Sequence, residues 1–285
     1  MAQVGIVTDS SASLSRETLD EYNIRMVPMS FVLNNKIYRD NIEIDAKKFW
    51  EIFPGMKDIP TTGAGSLGDF RNAYLDLSHN TDKIVCITMI GKMSATYKAA
   101  CQAAEIVREE KPDLDIKVID SKTNIGSLAW LAVEAARAAK AGMNQTGIID
   151  LVQNMIPRVK YFMVLESLKY ILKVARAPDD KALQAAAQVS SIMGMVTPGV
   201  ENLENLGRAA NVDQAMVMAV DMVKNYVSGN KPLHFMLHYP QYIEKSEEMG
   251  KALANKYNCA EFIFSQFTPT VMVATGPMYG LAFYG

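Results

Sequence analysis

The first stretch of this sequence that could do chemistry is a short polar loop that carries two hydroxyl side chains, Ser94 and Thr96. The loop follows residues 84–88, an apolar run typical of a strand buried on both faces. It precedes residues 97–109, whose alanines recur at helical spacing. A strand that enters a helix through such a loop directs unpaired backbone N–H groups and the positive end of the helix dipole at one point. Taken alone, the loop favours the interpretation that one hydroxyl only caps the helix; alternatively, the loop binds a ligand at the helix start.

A second segment rich in small polar residues lies at 60–66, PTTGAGS, just before a predicted helix that ends near Leu77. It lacks the lysine of a phosphate-binding P-loop, and its glycines do not fit the dinucleotide-binding fingerprint. The sequence therefore gives no support to an ATP or NAD site.

Two aspartates, Asp9 and Asp120, begin polar turns that each follow a predicted strand. Open α/β sheets place ligands at the carboxyl ends of their strands, but aspartate is also an ordinary cap of the helix that follows. We interpret both as caps rather than as ligands of a metal. The three histidines are too few and too scattered for a transition-metal site, so no metal is predicted.

Composition narrows the class of protein. The chain has 285 residues, is 49% hydrophobic and carries a formal net charge of −2, so no overall field favours nucleic acid or an anionic membrane. Its three cysteines lack metal-ligand spacing, and no stretch is long and apolar enough to span a membrane. We expect a soluble cytoplasmic protein with reduced thiols. The 18 methionines suit either ordinary gap filling or an adaptable apolar guest.

The order of predicted elements indicates a two-domain α/β fold. Up to Arg158, strands alternate with helices, which predicts a parallel sheet built from βαβ units. Residues 24–33 form one predicted strand and lead into a hairpin. After Arg158 there are more strands per helix, which predicts a mixed or antiparallel sheet. We therefore expect an N-terminal α/β domain at 1–158 that carries the polar loops, and a C-terminal α/β domain at 159–285; alternatively, the last strands return to the first domain.

Six segments, taken in chain order, resemble the motifs of one family. Residues 4–12 (VGIVTDSSA) resemble the opening V-T-D-S signature of the DegV family, residues 60–66 stand where it carries T-S-Q-P-S, residues 93–97 (MSATY) resemble L-S-G-T-Y, residues 118–122 (VIDSK) match V-x-D-S, residues 165–170 (LESLKY) match L-x-x-L-K-Y, and residues 275–277 (TGP) resemble T-G-P-G. The resemblance covers nearly the whole chain, and it rests on the occurrence of the six segments in the same order as the family's motifs.

The resemblance implies a fatty-acid-binding protein with a ligand tunnel between or within two α/β domains. It also implies that the protein is the acyl-carrying subunit of a bacterial fatty acid kinase, in which a separate ATP-binding subunit phosphorylates the bound carboxylate for phospholipid synthesis. No cofactor is implied other than the fatty acid as ligand. Carried over position by position, Thr62 and Ser94 bind the carboxylate, Arg176 and Thr275 are secondary candidates, and Arg208 either docks the partner or is a solvated surface residue.

The local chemistry agrees with these positions. A carboxylate removed from water needs several donors, and two hydroxyls with backbone N–H groups at helix starts supply them without a buried cation. Departures from the family pattern are Gly63-Ala64-Gly65, Gly91, Ala95, the alanines on either side of Arg176, and Ala274 in place of a histidine.

Six apolar residues in predicted strands of the second half are candidates for the tunnel wall, although plain core is the alternative for each. They are Phe162, Ile192, Met193, Met195, Phe235 and Met236.

A rival interpretation is a self-contained enzyme that uses Ser94 as a nucleophile, or one that handles phosphate at the helix starts. A serine nucleophile needs a base, usually histidine, within hydrogen-bond reach. His79 lies in a polar surface stretch, and His234 and His238 fall on one side of a single strand because their spacing is even. No G-x-S-x-G elbow surrounds Ser94, and the magnesium carboxylates and lysine clamp of phosphoryl transfer are missing. These features favour a binding protein.

Overall fold

Three β-sheets organise the part of the chain that the computed structural model describes, residues 3–53, 60–174, 190–195 and 203–285. The strands are β1 (Gly5–Asp9), β2 (Ile24–Val27), β3 (Ser30–Leu33), β4 (Lys36–Arg39), β5 (Thr61–Gly63), β6 (Lys83–Thr88), β7 (Asp115–Asp120), β8 (Lys160–Leu165), β9 (Ser190–Met195), β10 (Glu204–Ala209), β11 (Leu233–Tyr239), β12 (Cys259–Gln266) and β13 (Met278–Tyr284). The helices are α1 (Arg16–Glu21), α2 (Ala46–Ile52), α3 (Leu67–Leu77), α4 (Thr96–Glu110), α5 (Ile125–Lys140), α6 (Gln145–Met155), α7 (Lys169–Val174), α8 (Val212–Met222), α9 (Glu244–Lys256) and α10 (Pro269–Thr275).

The first sheet has the strand order β2-β1-β6-β7, and every pair in it is parallel. Parallel neighbours need crossover connections, which the helices between them supply. Because β1 and β6 are adjacent and parallel, their carboxyl ends lie side by side. The turn after β1 therefore stands next to the loop that joins β6 to α4. The predicted parallel sheet is confirmed.

The second sheet has the order β10-β9-β8-β13-β11-β12. All its pairs are antiparallel except β11 with β12, so the predicted mixed sheet is confirmed. The last strand, β13, lies inside this sheet between β8 and β11. The alternative in which it returns to the first sheet is therefore wrong, whereas a domain boundary near Arg158 stays a prediction.

The third sheet is small and antiparallel, with the order β4-β3-β5. The predicted single strand at 24–33 is in fact divided: β2 belongs to the first sheet and β3 to the third. The division falls at Pro28, which has no N–H to donate to a ladder. The N–H of Met29 instead donates to the hydroxyl of Ser10 at 2.9 Å. This sheet positions β5, the strand that carries Thr62.

Helix α5 packs between the first sheet and the second, against β1 on one side and β13 on the other. Gly126 in its first turn allows the close approach, since a Cβ there would stand 2.6 Å from the Cβ of Ala282 and 2.9 Å from the ring of Tyr161. Residues of both sheets consequently share one apolar core. Within the described ranges, no helix combines the length and apolar character needed to cross a membrane.

The six residues predicted as candidates for the tunnel wall lie on two faces of the second sheet, and their role in a tunnel stays a prediction. Successive side chains of a strand point to opposite faces. One group packs under α8 and α9, and the other packs toward α5: Phe162, Ile192 and Phe235 in the first, Met193, Met195 and Met236 in the second.

Candidate functional site

The two hydroxyl-bearing segments meet in space, although about thirty residues separate them in the chain. The N–H of Gly65 donates to Oγ1 of Thr96 at 3.3 Å. Oγ1 of Thr96 lies 2.8 Å from Oγ of Ser94, and the Thr96 N–H donates back to that Oγ at 3.2 Å. A continuous chain of hydrogen bonds therefore joins the segment after β5 to the loop before α4.

The start of α4 faces the same point. Its N-cap position is Ala95, whose side chain cannot accept a hydrogen bond, and Oγ of Ser94 accepts instead from the first N–H of the helix, that of Thr96. Ser94 is half-buried, and its loop borders an open depression of about 410 Å³. Lys92, Lys98 and Tyr97 also line this depression. An anion in it would meet a hydroxyl, the helix start and two lysines, and also the carboxylate of Asp120, which is paired with Lys122.

Asp9 and Asp120 accept hydrogen bonds that hold the loop before α4 in place. Oδ2 of Asp9 accepts from the Met89 N–H at 2.7 Å, and its Oδ1 accepts from both the N–H and the hydroxyl of Ser11. Oδ1 of Asp120 accepts from the Gly91 N–H at 3.2 Å, while its Oδ2 is paired with Lys122. Burial raises the pKa of Asp9 against the opposing effect of these donors. Both aspartates thus act as braces of the loop, in line with their interpretation as turn caps.

Thr62 lies in the middle of β5, where it pairs with Phe31, and its side chain is exposed. It precedes Gly65, the residue that contacts Thr96, by three positions. Among the described residues, this exposed hydroxyl on a short strand beside the Ser94 loop has no structural role. Its assignment as a carboxylate ligand stays a prediction.

A second cluster is built from the remaining motifs, 165–170 and 275–277. The N–H of Glu166 donates to the carbonyl of Pro277 at 3.2 Å. The ring of Tyr170 covers Gly276, and it stacks on Phe53 with ring centroids 5.8 Å apart. Thr275 is buried, and its hydroxyl contacts the backbone carbonyls of Val271 at 2.9 Å and Gly276 at 3.1 Å. Because α10 packs against β5 as well as α7, this cluster borders the strand of Thr62.

The structure describes one of the two arginine candidates. Arg176 lies outside the described residues. Arg208 is exposed on β10, an edge strand of the second sheet. Its role in docking stays a prediction.

The hydrogen bonds of Ser94 bear on the rival enzyme interpretation. Among the described residues, the Ser94 hydroxyl has Thr96 as its side-chain partner, and no histidine or carboxylate contacts it. His79 is exposed, as predicted. His234 bonds to Glu261, and His238 packs flat on Phe267, both on the α5 side of the second sheet. This arrangement does not activate a serine.

Sequence reasoning missed a buried polar junction centred on Asp40. Its Oδ2 accepts from the Ser10 hydroxyl at 2.7 Å, and its Oδ1 accepts from the Thr270 N–H at 3.1 Å, at the start of α10. The Thr268 hydroxyl donates to the Ser10 carbonyl at 3.2 Å. This junction ties the turn after β1 to the helix beside β5. A single aspartate after a strand reads as a surface turn residue, so no signal in the sequence indicated it.

Two buried groups near this junction have pKa shifts of opposite sign. Burial raises the pKa of Asp40 to about 6, against the opposing donors Ser10 and Thr270. Burial lowers the pKa of His238 to about 4, against the opposing effect of the Ser13 and Ala12 backbone. The stabilising contribution of Asp40 is therefore lost as the pH rises through 6, whereas that of His238 is lost as the pH falls through 4.

The pH dependences that Asp40 and His238 give to the stability oppose each other, and we expect Asp40→Asn to reveal this. The free energy of unfolding of the variant, minus that of the wild type, should increase by about 3 kcal/mol between pH 4 and pH 6.5, because the variant keeps the histidine effect and loses the aspartate effect. Urea unfolding at several pH values measures the difference. His238→Gln is the matched control and should change with the opposite sign. A difference that does not vary with pH for either variant would contradict the assignment.

A larger hollow, of about 1370 Å³, runs along β2 between α1 and α3. It contains neither Thr62 nor Ser94, and its charged groups include the mutually paired Arg16 and Asp20. The candidate site is therefore the smaller depression, which Ser94, the start of α4, Lys92 and Lys98 line, although Thr62 does not line it either.

Comparison with known proteins gives a consistent picture. A family profile described as an uncharacterised protein of the DegV family matches residues 3–285. A DegV domain-containing protein of Caldanaerobacter subterraneus is 26% identical over 277 residues, 97% of this chain and 96% of that protein. Two solved structures each superpose with a TM-score of 0.86. One is a DegV family protein from Thermus thermophilus described by its fatty acid binding, 19% identical and covering 99% of both chains. The other is a stearic-acid-binding protein from Eubacterium ventriosum, 22% identical and covering 99% of this chain and 98% of that one.

Proposed function

Because the chain belongs to the DegV family, we propose that it binds a long-chain fatty acid, with the carboxylate held at the loop before α4. The observation that carries the proposal is the hydrogen-bonded chain from Gly65 through Thr96 to Ser94 at the start of α4. Related structures described as holding fatty acids support the ligand class.

The chemistry of the site suits a carboxylate. An ionised carboxylate accepts several hydrogen bonds at once, and bonds to a charged group are stronger than those between neutral partners. Ser94, Thr62 and the first turn of α4 supply donors, while Lys92 and Lys98 add positive potential at the rim. The depression opens to solvent on this side, so the headgroup stays accessible.

The acyl tail supplies most of the affinity. Each buried methylene contributes about 0.8 kcal/mol, so a long chain retains a large driving force after the entropy of association is subtracted. We place the tail against the second half of the chain. The motif cluster of Tyr170, Gly276 and Phe53 borders β5, the strand of Thr62, through α10.

An accessible carboxylate also suits transfer chemistry. We propose that a separate ATP-binding kinase subunit phosphorylates the bound carboxylate to an acyl phosphate. Among the described residues, no group of histidine, cysteine, aspartate or glutamate side chains is arranged to hold a metal ion, and the lysines at the rim do not form a P-loop. The ATP site is therefore assigned to the partner. Acyl phosphate formed by this chain with ATP but without a partner would contradict that assignment.

Lipid that accompanies the purified protein tests the binding function. Protein purified from a bacterial host, then denatured and extracted, should release about one long-chain fatty acid per chain, because an apolar site exposed to cellular lipid does not stay empty. Mass spectrometry identifies and counts the released molecule. The control is an unrelated protein purified in the same way. Absence of the lipid, together with failure of delipidated protein to bind added oleate or palmitate, would refute the proposal.

A further inference from the structure

The edges of the three sheets differ in how they are guarded. An edge strand exposes unpaired backbone groups, and proteins protect such edges with charges, proline, bulges or very short strands. Five of the six edges in the described part of the chain have such a device. These are Arg25 with Pro28 at β2, Lys36 and Arg39 on β4, the three-residue length of β5, Asp115 and Lys117 on β7, and the bulge between Asn205 and Gly207 on β10.

The sixth edge, β12, has one such device near its start, a register shift against β11 that leaves Ala260 as the extra residue, and none over residues 261–266. It is eight residues long and contains neither proline nor lysine, and its pairing with β11 is regular from residue 261 to residue 266. Its one charged residue, Glu261, is held on the inner side by two hydrogen bonds of 2.7 Å from Arg137. Across the described ranges, the backbone of residues 260–265 makes no hydrogen bond on the side away from β11. Over residues 261–266 the edge is therefore regular and mainly apolar.

We propose that β12 is the interface of a homodimer, in which two copies pair antiparallel through this strand and join their six-stranded sheets into one of twelve strands. The sequence of β12 is compatible with antiparallel pairing to the same strand of a second copy. When an antiparallel pair is centred anywhere between residues 262 and 265, Glu261 faces an uncharged residue, so no like charges come opposite each other. The centre of the pair consists of Phe262, Ile263 and Phe264, the residue types that stabilise cross-strand contacts.

The charges of the neighbouring helix agree with this symmetry. Because β11 and β12 are parallel and α9 connects them, α9 runs antiparallel to β12. Lys245 and Lys256 pair with Asp213 and Asp221 and so mark the flank of α9 that faces away from the edge, toward α8 and its C-terminal continuation. The opposite flank, above β12, carries Glu247 and Lys251.

A two-fold axis through β12 makes the α9 helices of the two copies antiparallel. Glu247 of each copy then faces Lys251 of the other copy, so both charge pairs form at once. An acidic or basic partner protein would satisfy only one of the two signs. This charge complementarity selects a second copy of the chain as the occupant.

Light scattering or sedimentation of the full chain, over two decades of concentration in the micromolar range, tests the proposal. The expected mass is twice 31.5 kDa. Ala260 is exposed on this strand, so Ala260→Lys places a charge on the edge without loss of buried packing. We expect it to raise the dimer dissociation constant about tenfold or more. Ala210→Lys, at an exposed alanine next to the opposite edge, is the control and should leave the constant unchanged. A monomer throughout, or equal effects of the two substitutions, would overturn the proposal.

An exchange of the charges at residues 247 and 251 distinguishes the specific interface from nonspecific association. Lys251→Glu should weaken the dimer, because it places two acidic groups together at each contact, and Glu247→Lys in the same chain should restore it. Both residues are exposed, so neither substitution removes buried packing. Failure of the double variant to recover dimerisation would refute the two-fold arrangement.

Discussion

Ser94→Ala should weaken the binding of a long-chain fatty acid by roughly 10- to 150-fold, since a hydrogen bond to a charged group contributes about 1.5–3 kcal/mol. The hydroxyl is removed while the apolar contacts of the tail are kept. Titration calorimetry or displacement of a fluorescent fatty acid, with delipidated protein, measures the dissociation constant. Thr62→Ala should act in the same direction.

The methyl ester of the same fatty acid sharpens the test. It keeps the acyl tail but carries no charge, so Ser94→Ala should change its affinity little. Ser228→Ala, at an exposed serine in the loop before β11, serves as the control and should bind both ligands like the wild type. Equal losses for acid and ester would show that Ser94 supports the loop rather than the carboxylate.

The second large effect is expected at Gly276, and it concerns stability. This residue has φ 69° and ψ −169°, a conformation that is essentially restricted to glycine. A Cβ there would also stand 2.1 Å from the ring of Tyr170. Gly276→Ala should therefore lower the free energy of unfolding by about 3 kcal/mol or more, through backbone strain and overpacking together.

Gly142→Ala separates the two causes. Gly142 also has a positive φ, of 87°, but a Cβ there would have no heavy atom within 4 Å. It should cost only about 1 kcal/mol, the part due to strain. Urea unfolding of both variants gives the comparison. If Gly276→Ala were no more destabilising than Gly142→Ala, the contact with Tyr170 would not be a rigid one.

A consequence for binding follows from the same contact. Tyr170 and Gly276 belong to the two motif segments that pack beside β5, the strand of Thr62. A shift of the Tyr170 ring in the Gly276→Ala variant should therefore also weaken fatty acid binding. Gly142 lies in the turn after α5, and its substitution should leave binding unchanged.

Much of the fold followed from local patterns. The apolar run at 84–88 and the alanine spacing after it predicted β6 and α4, and both are present. Alternation of strands and helices predicted the parallel sheet because βαβ crossovers require it. The split of residues 24–33 between two sheets was not predicted, because hydrophobicity continues across Pro28 and only the pairing partners differ.

The candidate site shows the same division. The sequence by itself determined that two hydroxyl-bearing segments each precede a helix, since capping and turn chemistry are local properties of the chain. It also determined, through the ordered motifs, the family to which the chain belongs. What the sequence could not determine is which of these segments lie together.

Only the tertiary structure decided those contacts. The bond from Gly65 to Thr96, the burial of Asp40 and the position of β12 at a sheet edge each depend on strand order and on the packing of distant elements. The six apolar candidates for the tunnel wall illustrate the reason. Composition marked them as buried, but the face that each one occupies depends on the phase of its strand within the sheet. Whether a residue is buried can be predicted from the local sequence, whereas which residues lie close together depends on the order of the strands in the sheets.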